Sequence, residues 1–260
     1  LDLNQKLWKR ASTIIPGGNF LMSKNPDFIL PGKWPTYFSK CKKINIWDLE
    51  KRKYIDLSTM GVGTNILGYS HPQVDSEVKK FINKGNISTL NCPEEVELAE
   101  KLLEISPSFD MVKFARTGGE ANTIAIRIAR TSSNKEKIAI CGYHGWHDWY
   151  LSANINNNSN LKNHLANILD PIGVPKSLKN LCIPFEYGDY KKFNEIILDK
   201  KVGVLMMEVS RNKNPDKKFL KYIRKKTKKL GIVLIFDECT SGFRETLGGI
   251  YKKIKVQPDI

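Results

Sequence analysis

The stretch of sequence that decides the fold is Val233–Arg244, which reads VLIFDECTSGFR. Its first four residues are apolar without alternation, a pattern typical of a strand covered on both faces, as in a parallel α/β sheet. Asp237 and Glu238 follow directly, and open α/β folds bind ligands at the carboxyl ends of their strands. Gly242 then permits a sharp turn. The alternative is a strand that simply ends in solvated acids, so the other segments must decide.

The chain before this stretch alternates strands and helices, which predicts a mostly parallel sheet with right-handed crossovers. Two further apolar runs are predicted strands: Lys137–Cys141, which leads into an aromatic segment with two histidines, and Val202–Met207, which ends at Glu208. Strands are also predicted over 111–115 and 181–185, a β-hairpin over 44–48 and 53–57, and helices over 3–14, 71–84, 93–105, 122–130, 190–198 and 217–230.

The segment Arg116–Ala121 contains two glycines and connects a predicted strand to a predicted helix. The free N–H groups and the dipole at such a helix start suit an anion, and a phosphate in particular. No Gly-Lys-Ser/Thr follows, so the turn is not a Walker A loop. By itself, an ordinary turn between strand and helix explains it equally well.

Composition excludes several classes of protein. The 260 residues are enough for one large domain or two small ones. Lys and Arg number 42 against 27 Asp and Glu, a net charge of +15. The densest cluster falls on the amphipathic helix pattern 217–230, which favours a solvated face. Because no zinc-finger, basic-zipper or RNP-type pattern accompanies the charge, nucleic-acid binding is not expected. No apolar run is long enough for a membrane span.

Cysteine and histidine spacing argues against a metal site. The five cysteines are far apart with no C-x-x-C, which favours reduced thiols in a cytoplasmic protein over disulfides or zinc. His144 and His147 lie three residues apart, but no third ligand follows at metal-binding spacing. Tyr143 is better suited to stacking on a flat ligand.

Together these segments resemble the class III aminotransferases of fold type I, which depend on pyridoxal 5'-phosphate (PLP), and among them the glutamate-1-semialdehyde aminomutase branch. The motifs that carry the resemblance are Ile15–Gly18, Asp48 with Tyr54–Asp56, Gly68–Pro72, Thr117–Ala121, Tyr143–Gly145 and Phe236–Arg244. The resemblance implies an α/β fold with an N-terminal segment, 1–60, holding a helix and a β-hairpin. An incomplete PLP-binding large domain would span 61–260, and the C-terminal small domain would be absent.

The resemblance also implies a set of cofactor-binding residues: Thr117, Gly118, Gly119, Tyr143, Glu208, Asp237 and Cys239. Asp237, the catalytic residue of the set, would face the pyridine nitrogen and keep it protonated, making the ring a better electron sink. Tyr143 would stack on one ring face, with Cys239 in place of a small aliphatic residue on the other. Thr117 and the two glycines would hold the phosphate. Glu208 is followed by Val209 rather than the usual proline, which leaves a cofactor contact by Asn212 open.

Two departures from the family pattern shape the expected activity. An Asn-rich stretch, 154–167, replaces the gating loop of the aminomutases, so transfer of an amino group between an amino donor and a carbonyl acceptor is expected. The family's Schiff-base lysine would come a few residues after Pro258–Ile260. The nearby lysines all precede this segment: Lys252, Lys253 and Lys255. We therefore expect a truncated form, inactive alone, of a homodimeric enzyme. The alternatives are the 2,1-aminomutase of tetrapyrrole biosynthesis and a non-catalytic binding protein of the same fold.

Overall fold

The computed structural model describes residues 1–58, 60–85, 87–164, 170–210 and 214–260. These residues form two compact units, Leu1–Asn91 and Cys92–Ile260. The predicted domain boundary between residues 60 and 61 stays a prediction. Residues 165–167 of the Asn-rich stretch, and Asn212, lie outside the described residues.

The first unit combines a capped helix with a small antiparallel sheet. Helix α1 spans Leu3–Ile14, and the Asp2 carboxylate accepts the Gln5 N–H at 2.9 Å in a capping box at its start. Short 3-10 turns cover Met22–Lys24 and Pro26–Phe28. Strands β1 (Phe38–Lys42), β2 (Asn45–Asp48) and β3 (Lys53–Ile55) form the sheet in that order, and helix α2 spans Pro72–Lys84. The predicted hairpin is confirmed as β2 and β3, and β1 extends it.

The second unit is an α/β fold. Its strands are β4 (Lys137–Cys141), β5 (Cys182–Pro184), β6 (Val202–Glu208) and β7 (Val233–Asp237). Its helices are α3 (Pro93–Ile105), α4 (Gly118–Ser133), α5 (Asp148–Leu151), α6 (Tyr190–Ile196), α7 (Lys217–Leu230) and α8 (Tyr251–Ile254), with 3-10 turns at Ser152–Asn154 and Lys176–Leu178. All neighbouring strands are parallel, in the order β5-β4-β6-β7, which confirms the predicted parallel sheet.

Helices cover both faces of this sheet. Every residue of β6 is buried, and its side chains alternate between two apolar clusters. Leu205 belongs to the cluster that contains Phe219 of α7, whereas Met206 belongs to the one that contains Ile126 of α4. Because both faces are covered, neither needs polar side chains, which is why the strands appear in the sequence as unbroken apolar runs.

Two expectations about the segment before β4 are wrong. Residues 111–115 form no strand, and Met111 is 88% exposed, so this short apolar run is not part of the buried sheet. Helix α4 begins at Gly118 rather than at Asn122, because Thr117 caps it one turn earlier. The predicted start was wrong because the apolar periodicity of this helix begins only after its capping residues.

An ion pair connects helix α7 to the segment that contains Asp259. Lysines fill the exposed face of α7, and its buried face packs on the sheet, as predicted. Arg224 of α7 forms two hydrogen bonds with the Asp259 carboxylate, at 2.8 and 2.9 Å, and that carboxylate also accepts the Leu234 N–H at 2.8 Å. Asp259 therefore holds the last described residues next to β7 through these hydrogen bonds. Among the described residues, no helix has the length and apolar character to cross a membrane.

Candidate cofactor site

The candidate site lies at the carboxyl edge of the parallel sheet. In the strand register, Glu208 at the end of β6 is paired with Asp237 at the end of β7. Cys141, the last residue of β4, is paired with Met207 one position earlier on β6. The fold thus brings both acids and the Tyr143 segment to one edge, where ligands bind in open α/β folds.

Asp237 is a buried carboxylate with three hydrogen-bond donors. Its side chain Oδ2 lies 2.8 Å from His144 Nδ1 and 2.8 Å from Asn122 Nδ2, and its Oδ1 accepts the Cys239 N–H at 3.0 Å. Only 8% of the residue is exposed. Burial would raise the pKa of Asp237, but the His144 contact and the other donors outweigh it and hold the pKa below its ordinary value. The site therefore keeps a negative charge away from bulk water.

The imidazole of His144 is held in one orientation behind this carboxylate. An ionised carboxylate only accepts, so the Nδ1 of His144 must carry the shared proton. The ring stacks on Trp149 with centroids 6.5 Å apart and meets Tyr150 edge-on at 5.8 Å. Its Nε2 is buried with no hydrogen-bond partner among the described residues. The ring is thus fixed by packing and by its bond to Asp237.

The start of α4 offers two free backbone donors. Thr117 Oγ1 accepts the Glu120 N–H at 3.2 Å, and Glu120 Oε2 accepts the N–H groups of Arg116 at 2.9 Å and Thr117 at 3.2 Å. This capping box leaves the N–H groups of Gly118 and Gly119 without an acceptor in the part of the chain that the structure describes. Two free donors at the positive end of a helix dipole suit an anion.

Both glycines in this first turn are closely packed. A Cβ atom on Gly118 would lie 3.4 Å from Cys239 Sγ, and one on Gly119 would lie 3.2 Å from His147 Nε2. Gly145 also approaches closely, since its Cβ would lie 3.5 Å from the Gly119 Cα atom. The segments after β4 and β7 therefore flank the start of α4, and Gly119 leaves room for the His147 ring.

Glu208 positions the segment that carries Tyr143. Its buried carboxylate accepts the Tyr143 N–H at 2.9 Å. A Cβ atom on Gly142, whose φ is +116°, would lie only 2.7 Å from Glu208 Oε2. The half-buried Tyr143 ring meets Tyr150 edge-on, with centroids 5.9 Å apart. Glu208 thus supports this segment through its backbone.

Three residues of this site have no role among the sequence-based predictions. Asn122 lies four residues after Gly118 on the same helix face, a spacing that could have identified it. His144 and His147 were considered only as metal ligands. Nothing in the local sequence predicts that His144 contacts Asp237 or that His147 contacts Gly119. Glu238, by contrast, is structural, since its carboxylate accepts two backbone N–H groups at the start of α8, at 2.6 and 3.1 Å.

Comparison with known proteins identifies the family. The model of the family described as aminotransferase class-III matches residues 32–260. The chain belongs to the class III aminotransferases. PLP is the cofactor of this family, and the chemistry of the site fits it: a buried anionic acceptor suits a protonated ring nitrogen, and free N–H groups at a helix start suit a phosphate.

Curated relatives include both aminotransferases and aminomutases. A 3-aminobutyryl-CoA aminotransferase from Cloacimonas acidaminovorans is 31% identical over 269 residues, covering 100% of this chain and 60% of that protein. A glutamate-1-semialdehyde 2,1-aminomutase from Fusobacterium nucleatum is 34% identical over 266 residues, covering 98% of this chain and 58% of that protein. The chain thus spans about 60% of the length of these relatives.

Solved structures confirm the predicted fold type I transferase architecture. An omega-transaminase from Sphaerobacter thermophilus superposes with a TM-score of 0.83 at 24% identity, covering 99% of this chain and 59% of that one. A glutamate-1-semialdehyde aminomutase from Pseudomonas aeruginosa, in complex with PMP, superposes with a TM-score of 0.78 at 16% identity, covering 98% and 55%. At these identities the similarity shows the fold alone.

Proposed function

We propose that this chain forms the PLP-binding part of an enzyme that transfers an amino group from a small-molecule amino donor to a carbonyl acceptor. The observation that carries the proposal is the buried Asp237 carboxylate, held ionised by three donors at the edge of the sheet where α4 presents two free N–H groups. When bound, PLP supplies an electron sink for the carbon that loses or gains the amino group.

Asp237 is the proposed partner of the cofactor's ring nitrogen. Its low pKa means that it remains an anion at neutral pH, and an anion beside the ring nitrogen favours the protonated form of the ring. Its Oδ1 and Oδ2 are fixed by Cys239, Asn122 and His144, so the charge is positioned before the ligand arrives. Such preorganisation lowers the cost of binding.

Thr117, Gly118 and Gly119 are the proposed phosphate-binding residues. The free N–H groups of the two glycines support this role, whereas the Thr117 hydroxyl already caps the helix by accepting the Glu120 N–H. We therefore assign Thr117 to holding the turn in shape and the glycine N–H groups to the phosphate. The absence of side chains at both glycines also allows close approach to the backbone.

The remaining site residues are proposed to bound the flat cofactor ring. Tyr143 would stack on one face of the ring. Cys239, which is exposed and lies two residues after β7, would contact the other face. Glu208 acts through the Tyr143 backbone N–H that it accepts at 2.9 Å. Replacing Glu208 should therefore disturb the position of Tyr143 rather than remove a direct contact.

We infer further that the chain alone supplies no lysine for a covalent link to PLP. Lys252 Nζ donates to the carbonyls of Ile105 at 2.7 Å and Leu247 at 3.0 Å, and Lys253 pairs with Glu245. These contacts support the view that both amines are engaged elsewhere. The test is reduction with borohydride after incubation with PLP, followed by peptide mapping. Scattered, substoichiometric labelling is expected, and one stoichiometric lysine would contradict the inference.

Ligand binding tests the site itself. Pyridoxine 5'-phosphate lacks the aldehyde that would react with surface lysines, so its fluorescence reports non-covalent binding. We expect Asp237→Asn to weaken its binding by about tenfold, the effect of losing one favourable charge contact of about 1.4 kcal/mol. Asp199→Asn is the matched control, because Asp199 pairs with Lys137 at the opposite end of β4. Equal affinities for all three proteins would refute the assigned role of Asp237.

A second candidate function is the 2,1-aminomutase reaction, favoured by aminomutase relatives at 31–34% identity. An aminomutase needs no external amino donor, whereas an aminotransferase does. Assays of glutamate 1-semialdehyde with and without added donors therefore separate the two, provided that they use a longer protein that also supplies the Schiff-base lysine. We also propose a homodimer by analogy with the family, and sedimentation velocity of the purified chain tests it.

A further inference from the structure

His147 lies against the first turn of α4, and the function proposed above gives it no role. The three atoms nearest to a Cβ built on Gly119 are Nε2, Cδ2 and Cε1 of His147, at 3.2, 3.5 and 3.6 Å. The ring therefore presents its Nε2 edge to this turn. A Cβ atom at residue 119 would press tightly on that edge, so the absence of a side chain at Gly119 leaves room for the His147 ring.

The opposite edge of the ring is held by Thr123, one turn further along α4. Thr123 Oγ1 lies 2.6 Å from His147 Nδ1 and 2.9 Å from the Gly119 carbonyl oxygen, and it accepts the Trp149 indole N–H at 2.9 Å. The Thr123 hydroxyl accepts the indole N–H, because an indole N–H can only donate. Its own single proton can therefore go either to His147 Nδ1 or to the Gly119 carbonyl oxygen.

This choice sets which nitrogen of His147 carries a proton. If Thr123 donates to Nδ1, the neutral ring carries its proton on Nε2, facing the turn. If Thr123 donates to Gly119, the ring must donate from Nδ1, and Nε2 carries a proton only in the charged form. An anion at the start of α4 favours every arrangement that has a proton on Nε2.

Other charged groups nearby do not supply this donor. Arg116 has a side chain that is 92% exposed and pairs with Glu120 at 3.5 Å. The Glu120 carboxylate accepts two backbone N–H groups, and Asp148 is itself an exposed acid. Of these side chains, His147 is the one whose ring lies against the first turn and can donate a hydrogen bond there.

We propose that His147 Nε2–H is a further donor to the phosphate of the cofactor, oriented by the Thr123 hydroxyl and given room by Gly119. This inference rests on the proposed binding of the phosphate at Gly118 and Gly119. It adds a side-chain donor to the backbone donors, so His147 should discriminate phosphorylated from unphosphorylated ligands.

The test compares pyridoxine 5'-phosphate with pyridoxine by fluorescence titration of the full chain. His147→Leu removes the donor and keeps an apolar side chain, and His147→Gln restores an N–H. We expect the Leu variant to bind pyridoxine 5'-phosphate about tenfold to a hundredfold more weakly, as for the loss of a hydrogen bond to a charged group. Pyridoxine binding should be unchanged, and the Gln variant should regain part of the affinity.

A double-mutant cycle protects the test against a general structural effect. Gly119→Ala alone should weaken binding of the phosphate ester, because the added methyl group displaces the His147 ring. In the His147→Leu background the same change should have a much smaller effect. Equal losses for both ligands, or additive effects in the cycle, would overturn the role of His147. If the wild-type chain binds the two ligands equally, the phosphate site itself is refuted, and the inference with it.

Discussion

Replacing His144 with Phe tests whether the imidazole holds Asp237 in its ionised state. The Phe ring can keep the packing against Trp149 and Tyr150, but it cannot donate to Asp237 Oδ2. Asn122 and the Cys239 N–H then remain as the donors to a buried carboxylate. The change therefore removes one hydrogen bond to a charged group without opening a cavity, and the slightly larger Phe ring adds to the loss by crowding the site.

The expected loss follows from the character of this bond. A hydrogen bond to an ionised group contributes about 1.5 to 3 kcal/mol, which the free energy of unfolding should lose at neutral pH. For a unit of this size, each kcal/mol shifts the melting temperature by about 2 to 4 °C, so the shift should be about 3 to 12 °C. The Asp237 pKa should rise, since the largest favourable contact opposing burial is gone.

The sign of the pH dependence follows from the two states of Asp237. Its folded pKa lies below its ordinary value, so its contribution to stability is present above the unfolded pKa of about 3.9 and is lost as the pH falls through the folded pKa. The variant has a higher folded pKa. The stability gap between the two proteins should therefore be widest well above the folded pKa of Asp237 in the variant. It should narrow as the pH falls through that pKa toward the lower folded pKa of Asp237 in the wild-type protein.

Urea unfolding at several pH values, followed by circular dichroism, measures this gap. Tyr150→Phe is the matched control, because it removes a neutral hydrogen bond to the Gly142 carbonyl from a ring that packs on His144. We expect it to lose about 1 kcal/mol, with a loss that stays constant through the pH range in which Asp237 titrates. A His144→Phe gap that stays constant with pH would show that His144 does not control the ionisation of Asp237.

Three further predictions concern the same edge of the sheet. In thermal melts, Gly142→Ala should destabilise the fold by more than Gly173→Ala, because both glycines have positive φ but only Gly142 has a carboxylate oxygen 2.7 Å from the added Cβ. Equal losses of stability would show that this contact does not matter. The exposed Cys239 should react rapidly with a thiol reagent, and bound pyridoxine 5'-phosphate should protect it. Cys182 should stay unreactive because burial raises the pKa of its thiol, and rapid labelling of Cys182 would contradict this. Thr117→Ala should cost about 1 kcal/mol through loss of the helix cap, and an unchanged melting temperature would argue against capping.

The amino-acid sequence by itself determined the class of fold and which acidic residues stand at the ends of its strands. Unbroken apolar runs such as Val202–Met207 predict strands covered on both faces, because only a sheet buried on both sides can use them. Residues that directly follow such runs, such as Asp237, must then lie at one edge of a parallel sheet. Local periodicity misplaced the start of α4 and predicted a strand over 111–115, since it registers apolar spacing rather than capping or strand pairing.

The tertiary structure alone decided which side chains meet. His144 and Asp237 are 93 residues apart in the chain, and Asn122 and Asp237 are 115 apart, yet each pair is in hydrogen-bond contact. The contact between His147 and Gly119 likewise depends on how the segment after β4 crosses the start of α4. Local sequence encodes backbone preference and burial, whereas the partner of a polar group is set by strand order and register.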